Sequence, residues 1–267
     1  MSGVYIGVDG KARKVKGGYI GVDGKARKIK KGYIGDANGV ARLCWSGIDP
    51  VFANNSWESI IAVCQSGEVP ESWAVGDQKN MTINGVDYAI DIIGKNHDDY
   101  ADGSGKAPLT FQLHDLHNDS SQMDYDRTNT DSWRYCDMGT LYVPFIGQCM
   151  PDAIKNAIKL VNKRTSAGNQ SSTMITTTDA LFLLSEIEIF GNYNKSFSGE
   201  GSQYAYYAAG GSKKKCHFNK GETSSTYWWT RSPYKSDTGS FVVVDRNGSS
   251  SYAGADFSYG VSPAFCF

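Results

Sequence analysis

A repeat at the start of the chain constrains it most. Tyr5-Ile6-Gly7-Val8-Asp9-Gly10-Lys11-Ala12-Arg13-Lys14-Val15-Lys16 recurs as residues 19–30, and a third unit, lengthened by an inserted residue, runs from Tyr33-Ile34-Gly35 through Asp36-Ala37-Asn38-Gly39 to Arg42. Each unit sets Asp-Gly or Asn-Gly between two short alternating runs, and such pairs take up the positive φ that a two-residue hairpin connection needs. Three β-hairpins in series are expected. One hairpin of this length buries too little to stand alone, so the units must stack on each other or on copies from other chains. Residues 1–45 are therefore read as an assembly or attachment segment that self-associates, with a trimer as the expected state, or docks onto another protein. The segment carries ten Lys/Arg against three Asp, whereas the rest of the chain carries 17 Lys/Arg against 25 Asp/Glu. The alternative is a solvated basic arm that binds nucleic acid. The regular tyrosines and turns argue against it, and no nucleic-acid partner is expected.

Residues 46–267 read as one body. With 30 Gly, 16 Tyr and seven Pro in the whole chain, short strands and turns are favoured over a helical bundle. Asn55 to Gly67 reads as a helix with Asn55 as N-cap, Glu58 three residues on, and Gly67 past its end. Asn84-Gly85 joins two strands, Met81–Ile83 and Val86–Ile93, and residues 108–113 alternate as another. Pro151 to Val161 has the clearest helical stripe (Ile154, Ala157, Ile158, Val161), with Pro151 at N1. The apolar run Leu181–Phe190 reads as a buried strand. From Tyr227 onward short strands alternate with turns, including Phe241–Val244, Asn247-Gly248 and a closing strand from Val261 to Phe267. The fold class is α+β. No uninterrupted apolar run approaches membrane-spanning length, and the first ten residues lack the charged-then-apolar order of an export signal, so neither membrane insertion nor a signal peptide is expected.

No nucleophile elbow, phosphate-binding loop, HExxH or dinucleotide fingerprint is present. His97-Asp98-Asp99 with Asp102-Gly103 suggests a calcium loop, but Leu109 stands where an EF-hand carries its glutamate. A non-EF structural cation among Asp98, Asp99 and Asp102 is the alternative to a plain polar loop, and no other cofactor is expected. His114 and His117 would share a face if helical, but their setting favours strand and loop. Cys216-His217 follows Lys213-Lys214-Lys215, whose charge would lower the thiol pKa, yet no second cysteine stands near it. The six cysteines are widely spaced, which favours buried free thiols over zinc ribbons or a disulfide framework.

Residues 234–260 contain three Tyr, six Ser, four Gly and three Asp, with no Leu, Ile or Glu. Antibody loops use the same economy: Tyr supplies contact area with few torsions to freeze, while Ser, Gly and Asp adapt their hydrogen bonds. Inert Ser/Gly-rich turns share this composition. The stretch, however, is framed by apolar anchors, Trp228 and Trp229 before it and Val261, Ala264 and Phe265 after it. Alternation, taken together with the family resemblance set out in the next paragraph, assigns Phe241, Val242, Val244, Ala255, Val261 and Phe265 to the framework. It leaves Tyr234, Ser236, Asp237, Thr238, Ser240, Val243, Asp245, Ser251, Tyr252, Gly254, Asp256, Phe257 and Tyr259 as the ligand-binding set, expected to form one contiguous patch. Tyr252, Phe257 and Tyr259 are the expected hot spots, with Asp237, Asp245 and Asp256 tuning specificity and on-rate.

Tyr227-Trp228-Trp229-Thr230-Arg231-Ser232-Pro233, then Phe241, Val244, Asn247-Gly248 and the ending Gly260-Val261-Ser262-Pro263-Ala264-Phe265-Cys266 resemble a C-type-lectin-like domain of gut bacteria and their phages. Further matches follow in order: residues 73–77, 83–86, 97–99, 102–106, 165–169, 181–190 and 199–204. The resemblance covers roughly residues 50–267, and the N-terminal repeats resemble segments that precede such domains in phage tail proteins. It implies a virion tail or other extracellular location and a tail-protein partner for residues 1–45. It also implies a receptor-binding adhesin, of the kind whose C-terminal segment is hypermutated by diversity-generating retroelements, recognising a protein or glycan receptor on a host cell. Where the family has an acidic-Met-Arg pattern this chain reads Asp137-Met138-Gly139, so the Arg134–Cys149 loop is expected to be rebuilt. The sugar and calcium motifs of animal C-type lectins are absent. Related formylglycine-generating enzymes need paired late cysteines, and only Cys216 and Cys266 occur there, so no enzymatic activity is expected. Such an enzyme, or a purely structural virion component, remains the alternative.

Overall fold

The computed structural model describes residues 47–267 in full and, before them, the backbone of six short strands. The chain divides into two compact units, Met1–Asn55 and Ser56–Phe267. In the first unit β1 (Tyr5–Val8) pairs with β2 (Lys11–Lys14), β3 (Tyr19–Val22) with β4 (Lys25–Lys28), and β5 (Gly32–Gly35) with β6 (Ala41–Trp45), all antiparallel. Val8 opposes Lys11 and Val22 opposes Lys25, the register a two-residue connection gives. The third pair begins at Gly35 and Ala41, so its connection spans residues 36–40 instead. The Asp-Gly and Asn-Gly connections and all side chains of residues 1–46 lie outside the described residues.

The second unit is mixed α and β with antiparallel sheets. Its first helix, α1 (Trp57–Ser66), is capped by Ser56, whose Oγ accepts from the Ser59 amide, and ends at Gly67 with φ 72°. The expected cap was Asn55, one residue earlier. Asn55 is committed elsewhere, since its Nδ2 donates to the carbonyls of Asp49, Val51 and Phe52 and its Oδ1 accepts from the Asp49 amide. Strands β7 (Gln78–Ile83) and β8 (Val86–Lys95) turn at Asn84 and Gly85, both at positive φ. With β9 (Leu109–Leu113) they form one side of a five-stranded sheet ordered β12-β16-β9-β8-β7, where β12 is Leu181–Phe182 and β16 is Ala264–Cys266. All five residues of β9 are buried, as is β8 from Ile90 to Gly94. Both faces of the sheet are therefore covered here, and strict polar alternation is lost. A Cβ on Gly94 would stand 2.9 Å from the Tyr204 ring, so glycine is what lets that tyrosine lie on the strand.

Three segments depart from the sequence reading. The expected loop at Arg134–Cys149 is helical, comprising α2 (Ser132–Tyr135), a π turn at Met138–Tyr142, and α3 (Val143–Gln148). The stripe from Pro151 to Val161 yields one turn only, α4 (Asp152–Lys155), with Pro151 as N-cap and Ile154 as its buried residue. Lys159 bridges to Cys266, and Val161 opens β10 (Val161–Gly168), which pairs with β11 (Ser171–Asp179), so tertiary pairing overrides the helical pattern. The apolar run 181–190 is a strand for two residues and then a helix, α5 (Glu186–Phe190). Ser185 and Glu188 form a capping box there, and Gly191 ends the helix at φ 72°. Ser185-Glu186-Ile187-Glu188 followed by Gly191 was the missed signal. After α6 (Ala205–Ala208), a three-stranded sheet follows: β13 (Trp228–Pro233), β14 (Ser240–Val244) and β15 (Ser250–Gly254).

Candidate functional site

The C-terminal strands rest on buried charge. Trp228 and Trp229 are fully buried, and each satisfies its indole N–H by donating to a carbonyl, of Lys213 and of Ser121 respectively, as framework residues should. Arg231, on the same strand, is also fully buried. Its guanidinium grips Glu188 of α5 in a fork, with Nη1–Oε2 at 2.5 Å and Nη2–Oε1 at 2.9 Å. Its remaining donors reach Thr165 Oγ1 and the carbonyls of Leu183, Arg164 and Glu200. Lys163 of β10 stands 2.7 Å from both Glu188 and Asp98, with its ammonium over the Phe182 ring. Two buried cations thus balance two buried carboxylates, which is the condition under which such charges are tolerated. Against the cost of burial, Lys163 and the Thr110 hydroxyl hold the Asp98 carboxyl down at about 2. Glu200 is different. It accepts from the Ser166 amide and the Ser232 hydroxyl, and burial pushes its pKa up to about 7.

This arrangement relocates the candidate cation. Asp98 turns inward to Lys163, while Asp99 is exposed and pairs with Lys106 at 2.8 Å and Asp102 accepts from the Ser104 amide, so the three do not converge. Ligand atoms of His97, Asp98 and Glu188 do lie within 4.8 Å of one another, the one such group among the described residues. The Lys163 ammonium contacts both carboxylates of that group and supplies its positive charge. His114 and His117 do not share a ligand. The first binds Asp91 at 2.8 Å; the second stacks on Tyr88 and meets the Tyr142 hydroxyl. The thiol of Cys216 is shifted up, not down, by burial and by the adjacent Asp115. Lys215 gives it no help, because its ammonium is buried and donates to the carbonyls of Leu113 and His114. Burial lowers its own pKa to about 8.

Of the thirteen expected surface residues, Ser236, Thr238, Tyr252 and Phe257 are exposed, and Tyr234, Asp237, Asp245, Ser251, Asp256 and Tyr259 are half-buried. Val243, Ser240 and Gly254 are buried. Val243 lies on the central strand between Trp229 and Ser251, Ser240 hydrogen-bonds Asp237, and Gly254 is crowded by Arg127, Asp256 and Phe257. All six expected framework residues are fully buried. The aromatic members divide between two faces, contrary to the single patch expected. Register partners share a face and successive residues alternate. Tyr252, opposite Val242, therefore lies on one face of the sheet, whereas Ser251, Val243 and Trp229 lie on the other. Tyr234 stacks on Tyr252 at 4.0 Å, while Tyr259 packs on Trp229, Tyr227 and Phe257. Asp237 and Asp245 are occupied in holding turns: the first accepts from the Gly239 amide and the Ser240 hydroxyl, the second from the amides of Asn247 and Ser249. Asp256 lies 3.6 Å from Arg127.

Residues 108–267 match the family model described as a domain of unknown function, DUF6273. The chain belongs to the DUF6273 family. The matched stretch of this DUF6273 chain holds the whole three-stranded sheet together with Lys163, Glu188, Glu200 and Arg231, while Asp98 and strands β7 and β8 lie before it. No curated protein and no solved structure matches the chain.

Two residues outside the expected set hold the Tyr234–Tyr252 group in place. Asn129 is fully buried, and its Nδ2 donates to the carbonyls of Asp237 and Ser240, tying down the 234–240 loop. Glu186 is buried beneath that group's edge. It receives the amides of Lys195 and Ser196 and the hydroxyls of Ser196 and Ser250, so one carboxylate joins the 195–196 loop to β15. Its signal was present in Glu186-Ile187-Glu188, where two acids inside an apolar run call for buried donors.

Proposed function

We propose that this DUF6273 domain is a ligand-binding module of C-type-lectin-like type. In this reading it is a receptor-binding (adhesin) part of a phage tail or cell-surface protein and a diversity-generating-retroelement variable protein, with residues 1–45 as its self-associating or tail-attachment segment. The observation that carries the reading is the contrast within residues 228–259. Trp228, Trp229 and Arg231 are fully buried and hydrogen-bonded, while Tyr252 and Phe257, two strands later, are about half exposed. A rigid support under exposed aromatics, with loops free to change, is how binding surfaces are built. The split of the exposed set narrows the site. The Tyr234–Tyr252 group is the binding face, and Tyr259, packed on Trp229, belongs to a second face.

The other readings draw less support. In the formylglycine-generating type the late cysteines are reactive, whereas Cys266 is buried and burial raises its thiol pKa well above the ordinary value. No helix among the described residues is long and apolar enough to cross a membrane. The test is retention of the labelled full chain on host-cell envelopes. Tyr234→Ala with Tyr252→Ala should cut retention at least tenfold without moving the melting temperature by more than a few degrees. Unchanged retention would remove the site.

A further inference from the structure

From the side chains around Tyr252 we infer that the ligand is an acidic saccharide, a pyranose bearing a carboxylate; the inference rests on the binding reading above. Three segments distant in sequence converge on one spot. Tyr234 and Tyr252 stack face to face, with centroids 4.0 Å and planes 8° apart, so each ring leaves only its outer face open. The Lys195 ammonium stands 5.5 Å from the Tyr252 ring centre, the Lys235 amide donates to the Lys195 carbonyl at 2.9 Å, and Lys235 Nζ reaches the Tyr193 carbonyl at 3.2 Å. Tyr193 is itself 52% exposed. Two stacked tyrosine rings and two lysines thus lie together at the surface, beside the exposed Tyr193.

The positive charge there is not neutralised by direct pairing. Among the described residues neither Lys195 nor Lys235 enters an ion pair, and the acids of the adjoining segments, Glu186 and Asp237, are already engaged. Glu186 is buried under amide and hydroxyl donors, and Asp237 is bonded to the Gly239 amide and the Ser240 hydroxyl. An ammonium over an aromatic ring gains modestly, and pairing with a ligand anion beside the ring adds to that gain. A flat apolar sugar face fits a tyrosine ring, hydroxyls meet the exposed Asn192 and Tyr193 region, and a carboxylate completes the two lysines. A neutral sugar would leave the charges idle, and a purely apolar ligand would leave them desolvated without a partner.

The geometry that presents the site is fixed from below. Glu186 holds Lys195 and Ser196 on one side and Ser250 of β15 on the other, and such preorganisation lowers the ordering cost of binding. The experiment is calorimetric titration of the full chain with sialyllactose and oligoglucuronate, and with lactose and oligoglucose as their neutral counterparts. Acidic sugars should bind at least tenfold more tightly than neutral ones, with the preference shrinking as salt rises. Lys195→Gln with Lys235→Gln should abolish that preference while leaving the melting temperature unchanged. Equal binding of acidic and neutral sugars, or a preference that survives the double substitution, overturns the inference. If no sugar binds but envelopes still retain the chain through Tyr234 and Tyr252, the ligand class is wrong and the binding reading stands. If the chain is not retained either, both fall.

Discussion

The two β-sheets of the second unit solve opposite problems. In the five-stranded sheet, β9 is buried on both faces from Leu109 to Leu113 and every neighbour is hydrogen-bonded, so any change of volume is felt. In the three-stranded sheet, β13 and β14 are equally buried, but the edge strand β15 reads as half-exposed Ser250 and Ser251, exposed Tyr252, half-exposed Ala253 and buried Gly254. Tolerance to substitution should therefore change within one sheet, across a single strand. A surface can vary without unfolding its support only where such a boundary exists.

The largest effect is expected at Arg231, in the buried strand. Arg231→Met removes the fork on Glu188 and leaves a fully buried carboxylate with Lys163 as its one remaining cation, so it should cost about 5 kcal/mol in denaturant unfolding. Trp228→Ala on the same strand should cost about 4 kcal/mol, from lost burial and the cavity left behind. If its melting temperature were unchanged while binding was lost, Trp228 would be a ligand contact and the boundary would lie elsewhere.

Glu200 makes the buried support sensitive to pH. Its folded pKa, about 7, lies above the ordinary glutamate value of 4.5. The folded state therefore holds the proton more tightly than the unfolded state between those values, and stability contributed by Glu200 falls as pH rises through that window. Glu200→Gln should remove this loss, raising stability above neutral pH by roughly 3 kcal/mol and leaving it little changed at pH 4. Asp98 acts in the opposite sense at lower pH. Its depressed pKa, about 2 against 3.8, gives stability above pH 4 that is lost as pH falls toward 2. The smallest expected effect is at the edge. Tyr252→Ala should change stability by less than about 1 kcal/mol, since only its stack with Tyr234 and the Lys195 contact are given up.

Much of the frame was legible in the sequence because it depends on local chemistry. Asn84-Gly85 specified its turn and Gly67 its helix end. Trp228, Trp229 and the six alternating framework positions were found in the core. What failed depends on partners far away in the chain. Val161 looked helical beside Ile154, Ala157 and Ile158, but its strand partner is Asp179 and it bridges to Tyr100. The split of the exposed set could not be read from spacing alone. It arises because Tyr234 reaches across from the end of β13 to stack on Tyr252, while Tyr259 returns on the other side of the sheet beside Trp229. The ionic support was hidden for the same reason: Asp98, Lys163, Glu188, Glu200 and Arg231 come from five separate stretches, and only Glu188, set in an apolar run, signals burial by itself.

The position of β16 also governs when the molecule can fold. Ala264–Cys266 sits between β12 and β9, with Phe265 opposite both Leu181 and Phe111. The hydroxyl of Tyr100 closes on the carbonyl of Phe267 at 2.5 Å. Hairpins such as β7–β8 and β10–β11 can form as soon as they are synthesised, but the centre of the largest sheet waits for residues some hundred and fifty positions downstream of β9. Until they arrive, β9 and β12 present unpaired strand edges to the surroundings. Long-range closure of this kind is slow relative to local pairing, so the last strand acts as a latch whose absence exposes nascent chains to aggregation and to the cell's chaperones.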